Sequence, residues 1–353
     1  MKKKIFWIGV SIAFFITGIV YGAKYFNKAD KNLAPFLVVS SFGGSYQDSM
    51  REAFFKPFEK ATGVKIRETT YSGKYPELKN AIEKGHKLDV VDLESTSLFI
   101  GQKEGMLQPL DFSVINKEKF ISEAVNTFGV ASIFCSNIIA YNTEVFPEGT
   151  LHPTTWAEFW DLNKFPGKRG LHKYPFVTLE IALLADGVDP KNLYPLDVDR
   201  ALKSLSKIKN NIVWWDNGSQ PVDLLSNREV VASSAWNGRI WVANNMEKKP
   251  LAVEWNQGLL DVEYWAVPKN SVNKNLAMRF IEFVTGVEQQ AAFTRYISYG
   301  PTNKQAIKLV DSTAAADLSS EPSNKQKQIM LNSQWWAENS NMVFEKWNAW
   351  LKE

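Results

Sequence analysis

The alternation of strands and helices begins with residues 36–60, which read FLVVSSFGGSYQDSMREAFFKPFEK. The short apolar run Phe36–Ser40 predicts a buried strand, and a turn with two glycines follows it. Within Tyr46–Lys60, three phenylalanines recur at helical spacing and predict one apolar helix face. This strand, turn and helix form the first unit of a predicted α/β fold.

The same order recurs in the residues that follow. Val64–Thr70 and Leu88–Leu93 are predicted strands, and Tyr75–Lys84 is a predicted helix that ends at a glycine. Another predicted helix runs through Lys103. This alternation predicts a mainly parallel sheet with helices on both faces. Ile133–Tyr141 is a strand without a short helix before it, which places it to carry the chain into a second unit.

A second set of alternating elements follows. The predicted helices are Trp156–Leu162, Leu179–Leu184, Val198–Lys209, Val222–Leu225, Gly238–Glu247, Asn275–Thr285 and Glu288–Tyr296. The predicted strands are Ile212–Trp215, Val230–Ser234, Leu251–Trp255 and Glu263–Val267. In the tail Asn324–Glu353, tryptophans recur at spacings of three and four, which predicts a helical region whose rings pack in the core or between lobes.

The composition limits the function classes. A length of 353 residues favours two domains. The 41 Lys and Arg against 38 Asp and Glu give a net charge of +3, too even for a dedicated nucleic-acid-binding protein. One cysteine and three scattered histidines argue against a disulfide framework and a metal site. We therefore expect no metal, no cofactor and no nucleic-acid partner.

The N-terminus has the pattern of an export signal. Lys2, Lys3 and Lys4 precede the uncharged apolar run from Ile5 to Ala23. The run is also long enough to span a bilayer, so residues 1–30 are predicted to be either a cleaved signal peptide or a retained membrane anchor. The rest of the chain is expected in an extracytoplasmic space.

Six segments occur together in an order and spacing typical of one family. They are Ser40–Tyr46 (SSFGGSY), Asp89–Ser95 (DVVDLES), Phe165–Gly170 (FPGKRG), Ala235–Arg239 (AWNGR), Tyr264–Pro268 (YWAVP) and Tyr299–Thr302 (YGPT). The chain from about Phe36 to Ile307 thereby resembles the periplasmic solute-binding proteins of ABC importers, specifically the spermidine/putrescine-type group. The resemblance implies a type II two-lobe fold, in which crossover strands join two mainly parallel sheets flanked by helices.

The resemblance also implies the domain division and the partners. Residues 34–139 and 262–303 would form lobe 1, and residues 140–261 and 304–353 would form lobe 2. A periplasmic protein of this type captures a small solute by hinge closure and delivers it to a membrane permease. No catalysis and a monomeric state are expected.

Candidate ligand-binding residues follow from position, because ligands of open α/β sheets lie beyond the carboxyl ends of strands. The turn after the first strand contributes Ser41, Gly44 and Tyr46, where glycine lets the backbone approach a ligand. The end of the third strand contributes Glu94 and Ser95. A plain turn and a solvated surface glutamate are the competing interpretations.

Other candidates rest on the resemblance. It makes Trp236 the cleft tryptophan, Tyr299 a cleft tyrosine, and Glu263 the carboxylate that meets a terminal amine. Asp261 lies on the same strand face as Glu263, at a position where polyamine binders have a ring, so this sequence departs from their pattern. Further candidates are Glu180, Asp216 at the end of a strand, and Trp255.

Two ligand classes fit these residues. A polyamine needs carboxylates for its ammonium groups and apolar or aromatic walls for its methylenes; one carboxylate about 4 Å from an ammonium gains on the order of 4 kcal/mol at an effective dielectric constant of 20, before desolvation. Arg239, beside Trp236, would instead suit a carboxylate. The alternative ligand is therefore a zwitterionic amino compound such as an amino acid or γ-aminobutyrate.

Two other function classes remain as alternatives. Paired carboxylates with many tryptophans also occur in carbohydrate-active enzymes. However, the sequence lacks a Gly-x-Ser-x-Gly elbow, a Walker-type loop and a His-Glu-x-x-His pair. A membrane-anchored sensor would use the same closing lobes to signal to a membrane partner. We expect a binding protein and not an enzyme.

Overall fold

The computed structural model describes residues 34–353. The signal peptide or anchor predicted for residues 1–30 lies outside the described residues. In the part of the chain that is described, no helix combines the length and apolar character needed to span a membrane.

Strands and helices alternate along the described residues. The strands are β1 (Phe36–Ser41), β2 (Lys65–Thr70), β3 (Val90–Glu94), β4 (Leu107–Gln108), β5 (Val125–Asn126), β6 (Gly129–Asn142), β7 (Arg169–His172), β8 (Ile212–Trp215), β9 (Ala232–Trp236), β10 (Leu251–Pro268), β11 (Gly300–Pro301) and β12 (Ile329–Met330). The helices are α1 (Gly44–Met50), α2 (Lys56–Thr62), α3 (Tyr75–Glu83), α4 (Ser95–Lys103), α5 (Trp156–Trp160), α6 (Pro175–Ala185), α7 (Val198–Ile208), α8 (Gln220–Ser226), α9 (Asn237–Asn245), α10 (Lys274–Val284), α11 (Val287–Phe293), α12 (Ser312–Ala315), α13 (Pro322–Lys325) and α14 (Ser333–Trp350).

Short π-helical and 3₁₀-helical segments lie between these elements. A π-helical turn, Arg51–Phe55, joins α1 to α2, so the predicted first helix is continuous in space. The 3₁₀ segments are Lys117–Lys119, Ser122–Ala124, Pro190–Asn192, Lys209–Asn211 and Ala306–Leu309.

The strands form two parallel groups that two long strands connect. The order across the sheet is β2-β1-β3-β10-β6-β9-β7-β8. Strands β1, β2 and β3 are parallel to each other, and so are β7, β8 and β9. Strands β6 and β10 are antiparallel to each other and to their outer neighbours. We call the part around β1–β3 the first lobe and the part around β7–β9 the second lobe. This is the predicted two-lobe α/β fold.

Two strands that were predicted separately form one continuous strand in the structure. The sequence suggested separate strands at Leu251–Trp255 and Glu263–Val267, but β10 runs without interruption for 18 residues. The polar residues between them are accommodated by an irregularity: the register with β6 shifts after Glu254, and Gln257 has a φ of +59°. A β-bulge of this kind bends a strand without ending it, and sequence periodicity alone does not distinguish a bulge from a turn.

The C-terminal helix bridges the two lobes. Helix α14 packs against α4 of the first lobe and against α7 and α6 of the second lobe. Asn332 begins it, since its side chain accepts a hydrogen bond from the backbone N–H of Trp335. Trp336, Trp347 and Trp350 are buried, as the predicted packing role of the tail tryptophans requires. The lobe boundaries derived from the sequence assign this helix to lobe 2 and stay a prediction.

Candidate functional site

The carboxyl ends of both sets of parallel strands face one cavity between the lobes. Strands β1, β2 and β3 end on one side of it, and strands β7, β8 and β9 end on the other. The cavity encloses about 460 Å³ of space not filled by protein atoms, counting the part open to solvent. We call this space the interlobe cavity.

Both lobes contribute side chains to the interlobe cavity. The lining residues are Phe42, Tyr46, Ser72, Gly73, Glu94, His172, Trp215, Gly218, Trp236, Arg239, Glu263 and Tyr299. The turn after β1, the loop after β2 and the ends of β3 and β7–β9 supply most of them. Short loops at strand ends therefore bring residues from distant parts of the sequence to one place.

Six of the candidates chosen from the sequence line this cavity. They are Tyr46, Glu94, Trp236, Arg239, Glu263 and Tyr299. Their position makes contact with a ligand possible, and their roles in binding stay predictions.

Four other candidates lie immediately behind or beside the cavity. Ser41 is buried at the end of β1 and donates a hydrogen bond to Gln47. Gly44 leaves room for the Arg239 side chain, because an ideal Cβ on Gly44 would lie only 2.8 Å from Nη1 of that arginine. Ser95 and Asp261 are hydrogen-bonded to each other, and both line a separate pocket beside Tyr264. The structure thus places these residues outside the cavity lining.

The remaining three candidates lie farther from the cavity or at its edge. Asp216 forms a 2.7 Å ion pair with Lys74, which joins the two lobes. Glu180 is fully buried in α6 and accepts hydrogen bonds of 2.7 Å from Tyr194 and Trp336. Trp255 lines a different surface pocket, because it lies on the part of β10 that belongs to the second lobe.

Several lining residues were not among the candidates predicted from the sequence. Phe42 lies inside the quoted motif, but only its neighbours were singled out. His172 and Trp215 end strands β7 and β8, and their rings stack with centroids 4.2 Å apart. The end of the predicted strand Ile212–Trp215 was an available signal, although nothing in the sequence distinguished Trp215 from its neighbour Trp214. No strand was predicted before His172, so there was no such signal for it.

Two glutamates lie opposite each other at the floor of the cavity. Glu94 ends β3, and the antiparallel register pairs it directly with Glu263 of β10. One oxygen of Glu263 accepts a bond of 3.4 Å from the Cys135 thiol, and the other has no hydrogen-bond partner among the described residues. Burial, followed by the charges of nearby carboxylates, raises the pKa of Glu94 and the pKa of Glu263 well above the usual value. These carboxyl groups are available to a cationic group.

Arg239 provides the opposite charge. It lies in α9, is buried, and donates hydrogen bonds to the backbone carbonyls of Phe42 (3.3 Å) and Gly43 (3.2 Å) across the cavity. No described carboxylate lies within salt-bridge distance of its guanidinium group. Burial lowers the pKa of Arg239 from its very high ordinary value, and the guanidinium remains charged at neutral pH. An arginine without a carboxylate partner can bind an anionic group.

Aromatic rings from both lobes also line the cavity. Tyr46 stands edge-on to Tyr299, with centroids 5.5 Å apart, and is stacked on Phe42 at 5.7 Å. The second lobe adds Trp236 and Trp215. Burial and the positive charge of Lys74 lower the pKa of His172 to about 3, so this imidazole is neutral. The cavity lining therefore combines uncharged aromatic rings with two carboxyl groups and one guanidinium group.

The acidic groups do not form a metal site. Among residues 34–353, no group of three or more His, Cys, Asp or Glu side chains is arranged to hold a metal ion.

Comparisons with known proteins agree with the two-lobe architecture. A sequence profile described as "Bacterial extracellular solute-binding protein" matches residues 53–320. The chain is 37% identical over 321 residues to the "Gamma-aminobutyric acid-binding protein" of Pseudomonas aeruginosa, an alignment that covers 89% of this chain and 90% of the relative. It is 26% identical over 304 residues to "Spermidine/putrescine-binding periplasmic protein 1" of Haemophilus influenzae, with 82% of each chain covered.

A solved structure is similar over almost its full length. The periplasmic binding protein AgtB of A. tumefaciens R10, determined in complex with agropinic acid, superposes with a TM-score of 0.84 at 38% identity. The comparison covers 90% of this chain and 99% of AgtB.

Proposed function

Because the chain belongs to the bacterial extracellular solute-binding protein family, we propose that its interlobe cavity binds a small zwitterionic amino compound. The protein is the substrate-binding component of an ABC transporter. In the proposed complex the carboxylate of the solute meets Arg239, and its ammonium group meets Glu94 and Glu263. The aromatic walls cover the chain between the two charges.

The observation that carries this proposal is that one small cavity holds two buried carboxyl groups and a buried arginine that form no ion pair with each other. A diamine would leave the buried Arg239 facing a second positive charge, which is unfavourable in a desolvated site. A solute with one charge of each sign satisfies both ends. The 37% identical relative named for γ-aminobutyric acid supports this choice.

A polyamine, the first expectation from the sequence, is the second candidate. The two glutamates and the rings suit ammonium groups and methylenes. The relative named for spermidine and putrescine is more distant, at 26% identity.

The mechanism that we propose is closure of the two lobes around the solute. The solute touches Glu94 and Tyr46 from the first lobe and Arg239 and Trp236 from the second, so its contacts are complete only when the lobes are together. A membrane permease then receives the solute from the closed protein. Export by the N-terminal segment, a periplasmic location and a monomeric state belong to this proposal.

Three four-carbon ligands test the charge assignment. Isothermal titration calorimetry should detect 4-aminobutyrate, which carries both charges, as a tighter ligand than putrescine or n-butylamine. Replacement of Arg239 by Gln should weaken 4-aminobutyrate about ten- to a hundredfold, because a hydrogen bond to a charged group contributes about 1.5–3 kcal/mol.

Binding of n-butylamine to the same variant is the control. The affinity for n-butylamine, which has no carboxylate, should fall much less than that for 4-aminobutyrate in Arg239→Gln, because only the contacts of Arg239 to the carbonyls of Phe42 and Gly43 are then lost. Equal losses for both ligands would mean that Arg239 only shapes the cavity. Tighter binding of putrescine than of 4-aminobutyrate by the unaltered protein would favour the polyamine candidate.

A further inference from the structure

Three acidic side chains share one face of the sheet at the floor of the interlobe cavity. Asp92 and Glu94 are two residues apart on β3, so their side chains lie on the same face. Glu94 lies directly opposite Glu263, and Asp92 lies opposite Trp265, the residue two positions beyond Glu263. Directly opposed side chains have Cβ atoms about 5 Å apart, and diagonal neighbours about 7–8 Å. We call Asp92, Glu94 and Glu263 the floor cluster.

The groups that face the floor cluster do not neutralise it. Asp261 adds a fourth carboxyl group from β10, and Cys135 adds a thiol from β6. Tyr46 of α1 and Tyr299 before β11 are neutral phenols, because burial raises the pKa of each well above 10. Of the described residues that line the cavity, Arg239 alone is positively charged at neutral pH. Tyr71, whose pKa burial also raises, is neutral as well.

All three carboxyl groups are buried. Asp92 has 0% of its surface exposed, Glu94 7% and Glu263 5%. Like charges directly opposite each other in a sheet are destabilising, and carboxylates that share a desolvated site cannot all be ionised. Such a cluster reaches a stable state by retaining protons or by acquiring a cation.

We infer that the floor cluster holds at least one proton in the ligand-free protein and releases it to solvent when the ammonium group of a solute enters. This inference rests on the proposed function, since it requires an ammonium-bearing solute. The proton leaves a carboxyl group of the cluster and is taken up by buffer, while the solute keeps its own protons. Ligand binding and proton release are then two parts of one equilibrium.

The electrostatic effects agree in direction with the geometry. Burial raises the pKa of Asp92 to about 8. Burial and the neighbouring negative charges also raise the pKa of Glu94 and the pKa of Glu263. At pH 7 the protonated form of the cluster is therefore favoured before ligand binds. An incoming ammonium group favours the ionised form and reverses that preference.

Calorimetry on the unaltered protein tests whether ligand binding releases a proton. Titrations with 4-aminobutyrate and with putrescine at pH 7, in buffers of different ionisation enthalpy, measure the number of protons released. We expect between about 0.3 and 1 proton per bound ligand, and an affinity that rises about two- to tenfold per pH unit between pH 6 and pH 8.

A variant pair identifies the residues that hold the proton. Asp92 does not line the cavity, so Asp92→Asn should retain binding while releasing fewer protons and showing a flatter dependence of affinity on pH. Glu180→Gln is the matched control, because Glu180 is another fully buried carboxyl group but lies under the C-terminal helix. It should leave the number of released protons unchanged. Circular dichroism confirms that each variant is folded.

The outcomes separate this inference from the proposed function. If a ligand binds with no proton release, or with proton uptake, and its affinity is constant from pH 6 to pH 8, the inference is wrong and the proposed function stands. If Asp92→Asn loses its fold, the titrations of the unaltered protein still decide. If neither ligand binds at any pH, the proposed function and the inference fall together.

Discussion

At the scale of single residues, the approach of Arg239 to the first lobe depends on Gly44. Gly44 has a φ of +58°, and a Cβ atom there would lie 2.8 Å from Nη1 of Arg239. The sequence suggested that Gly44 lets backbone approach a ligand. In the structure, the absent side chain makes room for the arginine that we propose binds the ligand.

Replacement of Gly44 by Ala should therefore weaken ligand binding. The added methyl group displaces the guanidinium, and we expect affinity for 4-aminobutyrate to fall by about tenfold or more, which corresponds to the loss of one charged hydrogen bond. Calorimetric titration measures the change.

Gly63→Ala is the matched control for this prediction. Gly63 also has a positive φ, +76°, but no atom lies within 4 Å of its ideal Cβ. Both substitutions strain the backbone by roughly 1–3 kcal/mol, so both should lower the melting temperature. Only Gly44→Ala should change affinity, and unaltered affinity in that variant would contradict the role given to the glycine.

The sequence could predict charged and aromatic residues at strand ends, but not the direction of every side chain. Glu94 was identified because it ends a hydrophobic strand, and Trp236 was identified by the resemblance; both line the cavity. Glu180 was chosen for its type, yet its neighbours along α6 and in α14 enclose it. Burial by an element more than 150 residues away in the sequence leaves no local signal.

At the scale of elements, helix α14 is fastened to α6 by a buried polar contact. Trp336 donates its indole N–H to the same oxygen of Glu180 that accepts from Tyr194. The second oxygen of Glu180 has no hydrogen-bond partner within the described part of the chain. Burial therefore raises the pKa of Glu180 to about 7.

This shift predicts a pH-dependent contribution to stability. The folded state holds the proton of Glu180 up to about pH 7, whereas the unfolded chain releases it near pH 4.5. The free energy of unfolding should therefore fall between pH 4.5 and pH 7 and then level off. From pH 5 to pH 8, wild type should lose about 2–3 kcal/mol relative to Glu180→Gln, which has no proton to release. Urea unfolding at both pH values measures it.

Glu345→Gln provides the control from the same region. Glu345 lies on the exposed side of α14, so its removal should leave the difference between pH 5 and pH 8 as it is in wild type. If Glu180→Gln has the same dependence on pH as wild type, the buried carboxyl group does not hold a proton in the folded state.

Much of the order of the elements was predictable because buried strands such as β1, β3 and β8 are short apolar runs. Strand β7 was not predicted, because its sequence RGLH is buried but is not an apolar run. Ile212–Trp215 has the predicted bounds. Strand β10 differs because its middle, Asn256 to Gly258, is polar but is held in place by other parts of the chain. Both the backbone N–H and the indole N–H of Trp156 donate to Gln257, a contact across about a hundred residues. Tertiary contacts thus maintain a strand that local sequence would end.

At the scale of the whole molecule, contacts at the cavity edge hold the two lobes together. The Lys74–Asp216 ion pair and the hydrogen bonds of Arg239 to the carbonyls of Phe42 and Gly43 all join the first lobe to the second. Strands β6 and β10 cross between the lobes. We propose that rotation about these strands opens the cavity and breaks the edge contacts.

The Lys74–Asp216 ion pair at the cavity edge should stabilise the closed state only slightly. In Asp216→Asn the pair with Lys74 is lost, but 58% of the Asp216 side chain is exposed. Exposed pairs contribute about 0.2–1 kcal/mol, so affinity for 4-aminobutyrate should fall by no more than about fivefold. Because the pair forms only when the lobes meet, the loss should appear as faster ligand dissociation, measured by stopped-flow tryptophan fluorescence.

Salt and a second ion pair make this test specific to closure. At 1 M salt the Debye length is about 3 Å, so wild type and Asp216→Asn should have nearly the same dissociation rate. Glu144→Gln removes a carboxylate of similar exposure, which pairs with Arg228 within the second lobe, and it should not change dissociation at any salt concentration. A slower association rate with unchanged dissociation in Asp216→Asn would mean that the pair guides ligand entry and does not stabilise the closed form.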